Sequence, residues 1–145
     1  MERPVDVTGT SAALLDTSVL IALTQEGRTL DLSAYQRLYA SSVSYAELRL
    51  GVACARDAES AVSRYAALED IISLFGGGLP FDDHAAVEFG RILQTVVRRK
   101  GGLRAHMNDR MIAAIAASRG LPLLTLNASD LAGLERHLDV IALSK

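Results

Sequence analysis

Four carboxylates in this chain stand where their neighbours suit chemistry better than solvation. Asp16 lies in Leu14-Leu15-Asp16-Thr17-Ser18-Val19-Leu20-Ile21, an acid pressed between two apolar runs. A half-buried carboxylate is costly unless donors or a cation compensate it. Asp109 lies in Asn108-Asp109-Arg110-Met111-Ile112-Ala113-Ala114. Asn108 suffices there as a helix cap, so a second acid is not needed for that job, although it suits the helix dipole. Glu47, in Ser44-Tyr45-Ala46-Glu47-Leu48, falls at capping-box spacing if Ser44 is the cap. Asp130 closes the turn Asn127-Ala128-Ser129-Asp130. Each acid alone has a structural reading as a cap or turn residue. Converging on one place, they would repel one another and raise their pKa values unless a divalent cation bound. An all-oxygen set suits hard cations, Mg²⁺ with Mn²⁺ as a substitute, and no His/Cys set points to zinc. One or two such ions would activate water, orient a phosphate and neutralise a leaving oxygen.

Convergence requires elements that carry the acids to one edge. Ala13-Leu14-Leu15 reads as a short strand delivering Asp16 at its end, with Thr17 or Ser18 capping a helix through Leu23 that Gly27 ends. Residues 29–37 read as a short helix or turn, and Leu38-Tyr39-Ala40 as a second strand. Ser42 or Ser44 opens a helix through Val52 that carries Glu47. A further helix spans about 57–72, with Val62, Tyr65, Leu68 and Ile72 in a helical stripe. Gly76-Gly77-Gly78 breaks the chain. Asp82 or Asp83 caps a long helix that closes in Arg98-Arg99-Lys100 and stops at Gly101-Gly102. Asn108 caps the next, which ends at Gly120 and Pro122. Leu123-Leu124-Thr125-Leu126 is an apolar strand followed by the Asn127–Asp130 turn, then a short helix and a last strand, 139–143. Short apolar strands separated by amphipathic helices predict an α/β fold of three layers, α/β/α, around a central parallel sheet of four to five short strands. Ligands of such sheets bind outside the carboxyl ends of the strands. Asp16 directly follows the first strand, and Asn127 and Asp130 follow a late one.

A basic segment flanks Asp109. Arg98, Arg99 and Lys100 have a structural explanation at a helix C-terminus, which Arg104, His106 and Arg110 do not share. A basic rim beside an acidic centre would hold the phosphate groups of a substrate. His106 is also a candidate proton donor, against its plainer reading as a solvated loop residue.

The bulk numbers agree with an enzyme of modest size. The 145 residues fit one domain, residues 13–145, behind a loose leader over 1–12; 50% are hydrophobic and 22% charged, which argues against disorder. A net charge of −2 and 5% aromatics, without Trp, exclude a diffuse nucleic-acid binder built on stacking platforms. The single Cys54 permits no internal disulfide, and neither a signal core nor a spanning run is present, so the expectation is cytoplasmic.

The Leu14–Ile21 phrase, the helix with Tyr45-Ala46-Glu47-Leu48-Arg49-Leu50-Gly51, and the blocks from Asn108 and from Thr125 to Leu131 together resemble the PIN domain, in its VapC-like toxin branch, over about residues 13–143. The resemblance implies a Mg²⁺-dependent endoribonuclease that cuts tRNA or rRNA, a homodimer silenced by a cognate antitoxin. Asp16 and Asp109 match the family's metal-binding acids and Glu47 its helical acid, while Thr17, Ser18 and Thr125 match hydroxyls that orient them. Many relatives have an acid where this chain has Asn127, so either Asp130 substitutes or three acids suffice. Two other readings stand beside this one. A haloacid-dehalogenase-type phosphatase would want a second Asp where Ser18 stands. A non-catalytic PIN-like scaffold would fit the change at Asn127, but not the cost of keeping three acids. Apolar residues between Leu30 and Val52 exceed what one face needs; most suit the core, and some suit a groove for an antitoxin helix.

Overall fold

The structure, a computed structural model, describes residues 11–144. The expected leader therefore lies outside it except for Ser11 and Ala12, which join the sheet rather than precede it. Four strands, β1 (Ala12–Leu15), β2 (Arg37–Tyr39), β3 (Leu123–Thr125) and β4 (Val140–Ala142), form one sheet in the order β2-β1-β3-β4. All three pairings are parallel, with Leu14 opposite Tyr39 and Leu123, and Thr125 opposite Ala142.

Among the described residues, five helices cover the sheet: α1 (Thr17–Leu23), α2 (Ser42–Ala53), α3 (Ala58–Phe75), α4 (Asp83–Arg98) and α5 (Met107–Arg119). Every residue of β1 is fully buried, because successive side chains feed opposite layers. Ala12 and Leu14 join a core with Ile92, Ile112 and Ile115 of α4 and α5. Ala13 and Leu15 join another with Val19, Leu20 and Ile71 of α1 and α3. The result is the expected three-layer α/β/α arrangement. The segment 29–37 holds a turn and then, at Arg37, the start of β2, and the 131–139 segment holds turns instead of a short helix after the 3-10 turn Ala128–Leu131.

The strand order creates a switch point. From β1 the chain crosses to β2 on one side, and from β3 to β4 on the other, so the connections leaving β1 and β3 diverge and open a crevice at their carboxyl ends.

Gly78, the last of the triple glycine, brings the chain back against the start of α2. Ser42 donates its amide to Leu79 O and Leu79 donates to Ala40 O, both at 2.9 Å. A Cβ on Gly78 would lie 2.6 Å from Ser42 N, so only glycine permits this approach to the start of α2.

Candidate metal centre

Asp16 leaves β1 with its amide bonded to Leu124 O at 3.0 Å. It is the N-cap of α1 itself, where Thr17 or Ser18 was expected: its Oδ1 accepts from Val19 N at 3.2 Å. Ser18 also donates its hydroxyl to Oδ1 and accepts from Leu126 N at 3.1 Å, tying α1 to the end of β3. Asp16 is only 5% exposed, and both of these bonds fall on one carboxylate oxygen, leaving Oδ2 uncommitted by either.

Glu47 is oriented by a chain of hydroxyls. Ser41, the N-cap of α2 in place of the expected Ser42 or Ser44, is fully buried and donates to Ser44 Oγ at 3.2 Å. Thr17 Oγ1 lies 2.8 Å from Ser44 Oγ and donates to Glu47 Oε1 at 2.7 Å. Each hydroxyl has one proton, so the order runs Ser41 to Ser44 to Thr17 to Glu47. In the sequence Ser44 reads only as a helix opener, and nothing local signals that its side chain reaches α1.

Asp109 stands in the first turn of α5. Its carboxyl is held above the ordinary range by burial first, then by the negative charges of Glu47, Asp16 and Asp130, with His106 acting in the opposite sense. Four acids from four segments thus share one field. Asp130, in the 3-10 turn after β3, also approaches Asp109 and His106 so closely that one ligand atom from each lies within 4.8 Å of the others. Asn127 is exposed, and its amide donates to the buried Thr125 Oγ1 at 2.9 Å. Thr125 therefore shapes the turn that carries Asp130.

Asn108 does not cap α5. It is exposed within the first turn, and His106 occupies the cap position with a left-handed φ of 53° and no side-chain cap bond. Arg110 is corrected too: it is 8% exposed and donates to Gly102 O at 2.7 Å and Leu103 O at 3.4 Å. A buried guanidinium spent on two carbonyls anchors the loop and is withdrawn from any rim. Arg98, Arg99, Lys100 and Arg104 are exposed, and Arg99 lies across Gly133, where a Cβ would meet its Nε at 2.5 Å.

The residues present fit a divalent cation. The donors are mostly carboxylate oxygens, and their mutual repulsion at Asp109 is the charge a cation would relieve. Beside the acids, a cleft of about 340 Å³ runs from Thr17 and Glu47 past Ile21, Leu48, Leu68 and Ile71. Of the surplus apolar residues, Leu30, Leu32, Tyr35, Leu38 and Leu48 pack against the core, while Leu50 is 61% exposed. No helix among the described residues is long and apolar enough to cross a membrane.

A parallel α/β/α domain with acids at its switch point has known counterparts. The PIN domain model matches residues 13–132. Ribonuclease VapC5 of Mycobacterium tuberculosis is 40% identical over 126 residues, covering 86% of this chain and 89% of the relative. Ribonuclease VapC1 of Rickettsia felis is 32% identical, over 90% and 96%. The crystal structure of VapBC-5 from M. tuberculosis, a member of the VapBC family of toxin–antitoxin systems, superposes with a TM-score of 0.70 at 34% identity, over 90% of this chain and 98% of that one. FitAcB from Neisseria gonorrhoeae gives 0.71 at 26% identity, over 89% and 96%. The chain belongs to the PIN-domain family, in its VapC branch.

Proposed function

We propose that this protein is a Mg²⁺-dependent endoribonuclease, the toxin of a toxin–antitoxin pair, acting on tRNA or rRNA in the cytoplasm. The observation that carries the reading is the approach of Asp130 to Asp109, with a ligand atom of each within 4.8 Å, where burial first and then the charges of Glu47, Asp16 and Asp130 raise the Asp109 carboxyl. Relatives named ribonuclease, at 40% and 32% identity over most of both chains, supply the reaction class.

Asp16, Asp109 and Glu47 would hold the cation, with Asp130 as the fourth acid in preference to Asn127, because Asp130 is the residue that faces Asp109. A bound Mg²⁺ supplies a Lewis acid at the phosphate and a lowered pKa for water. The chain's own groups supply order. Ser18 fixes the rotamer of Asp16, and Thr17 fixes that of Glu47. Pre-set carboxylates need no reorganisation when substrate arrives. Arg104, Arg98, Arg99 and Lys100 are exposed around the loop before Asp109 and would bind flanking phosphates. Ser18 is committed to Asp16 and Leu126, so nothing stands where a phosphatase of the dehalogenase type would keep its second acid.

The cleft beside Thr17 and Glu47 fits the apolar face of an antitoxin helix. The partner reading draws on VapBC-5, described as a member of a toxin–antitoxin family, and a homodimer is part of the same proposal. Incubating purified protein with total RNA in Mg²⁺ tests the activity: cleavage by wild type, and none with EDTA or with folded Asp16→Asn or Asp109→Asn, is expected. Undiminished cleavage in EDTA would overturn it.

A further inference from the structure

The cleft beside Glu47 is more than a gap between helices. Its lining is chiefly hydrocarbon: Leu68 and Ile71, each 2% exposed, with Leu48 and the 43% exposed Ile21. Thr17 and Glu47 border it from the acid centre. Arg64 of α3 borders it as well, tethered by the 2.6 Å bond that its Nη1 donates to Gly51 O. One slot thus combines apolar walls, an edge on the acids and a fixed guanidinium.

Gly51 is the informative residue. It lies inside α2, where a glycine costs helix stability relative to alanine. It is not among the glycines with a left-handed φ, so its backbone does not require the residue type. Close packing does not require it either: a Cβ built on Gly51 would meet nothing within 4 Å. What the missing side chain leaves is open space on the border of the cleft.

We propose that the cleft is a nucleobase subsite of the RNA substrate. A base next to the scissile phosphate leaves its stack and enters beside Ile21, Leu48 and Gly51, while Arg64 holds a neighbouring phosphate. This rests on the nuclease reading above and deepens it by naming where the base sits. Single-stranded RNA is read by splaying unstacked bases into protein pockets, and a guanidinium suits phosphate through its fork of donors. The slot's charge pattern matches that ligand: a flat, apolar-faced ring flanked by anions, one directed to the metal centre and one to Arg64. The volume, about 340 Å³, stands at the small end of ligand pockets, about 300–1,000 Å³, and suits one nucleoside. With 5% aromatics and no Trp in the chain, aliphatic walls take the place of a stacking platform. A base and an antitoxin helix would exclude one another from this cleft.

The test uses the full chain in Mg²⁺ and a short RNA spanning a wild-type cut site, mapped by sequencing the ends of cleaved total RNA. The same RNA is made with an abasic residue at each nucleotide flanking the cut in turn. Wild type is expected to lose about tenfold in kcat/KM on one of the two abasic RNAs, the scale of a lost base contact. Gly51→Leu fills the cleft with a better helix former, and Ile21→Ser removes a wall at an exposed position. Both should fold, cut intact RNA about tenfold less efficiently, and show less than about a twofold further loss on the abasic RNA. No abasic loss in wild type overturns the subsite, and this reading stands even if a variant misfolds. Variants that cut intact RNA like wild type, or that lose as much as wild type on abasic RNA, also overturn it; the cleft is then left to a protein partner, and the nuclease reading survives. No Mg²⁺-dependent cleavage by wild type overturns both.

Discussion

The hydroxyl of Thr17 donates to Glu47 Oε1 at 2.7 Å and joins the first residue of α1 to the middle of α2. The bond is the last in a relay that starts at buried Ser41, and it fixes the candidate ligand carried by α2. Thr17→Val keeps the shape and removes the proton. Cleavage should fall by about 10- to 100-fold, as outer-sphere partners of metal ligands typically cost, whereas Thr17→Ser should retain most activity. Initial rates on one RNA substrate, with circular dichroism to confirm folding, check this; equal rates for Val and wild type would disprove the relay.

Crowding of negative charge at Asp109 has a stability consequence in metal-free protein. Its folded pKa is raised above the ordinary 3.8, so the folded state holds a proton that the unfolded state has lost across the window above 3.8. That contribution is present below the unfolded pKa and disappears as pH rises through the folded one. Asp109→Asn in EDTA should therefore melt higher than wild type at pH 7.5, by on the order of a few degrees. The gap should narrow towards pH 4. A lower melting temperature for the variant at pH 7.5 would contradict the shared field.

Two arginines six residues apart should separate cleanly. Arg110→Ala leaves the Gly102 and Leu103 carbonyls without their donor and should cost about 1.5–3 kcal/mol of stability, the usual worth of a charged hydrogen bond. Arg104 is exposed. Arg104→Ala should melt like wild type, yet bind single-stranded RNA more weakly, with the slope of log affinity against log salt reduced by about 0.7. Melting curves and salt-dependent binding read both; the reverse pattern would mean the two roles have been exchanged.

How far the sequence went is clearest at the same two arginines. Charge spacing put both on a rim, because nothing in Asn108-Asp109-Arg110 says that the helix begins at Met107 and turns Arg110 inward. Asp16 and Asp130 were easier to place: each follows an apolar strand, and strand ends dictate where such residues go, whereas Glu47 and Asp109 sit in helices. Caps slipped by a residue or so, at Asp16, Ser41 and His106, since several neighbouring Ser, Thr, Asp and Asn residues compete for each cap and only tertiary packing chooses between them. The Thr17–Ser44 contact, across two helices, had no local signature at all.

Outside the crevice, Thr95 Oγ1 and His137 Nε2 lie 2.7 Å apart and pin α4 to the turns before β4. Burial chiefly, then Arg136 and Arg91 against the opposing pull of Glu88, lowers the His137 pKa below 6.5. The folded state thus resists a proton that the unfolded state accepts. Stability from this group is complete above pH 6.5 and is lost as pH falls below it. The melting temperature of wild type should drop between pH 7.5 and 5.5 by a few degrees more than that of His137→Gln, on the order expected for a single shifted group. Parallel pH profiles would rule this contact out as the cause.

Calorimetric titration of Mg²⁺ into EDTA-stripped protein tests the shared cation most directly. Wild type should bind, and Asp16→Asn and Asp109→Asn should each weaken binding at least about tenfold while remaining folded, since each removes a charged ligand from the same ion. Binding that is unchanged in either variant would mean that these two carboxylates, however close their fields, do not hold one metal between them.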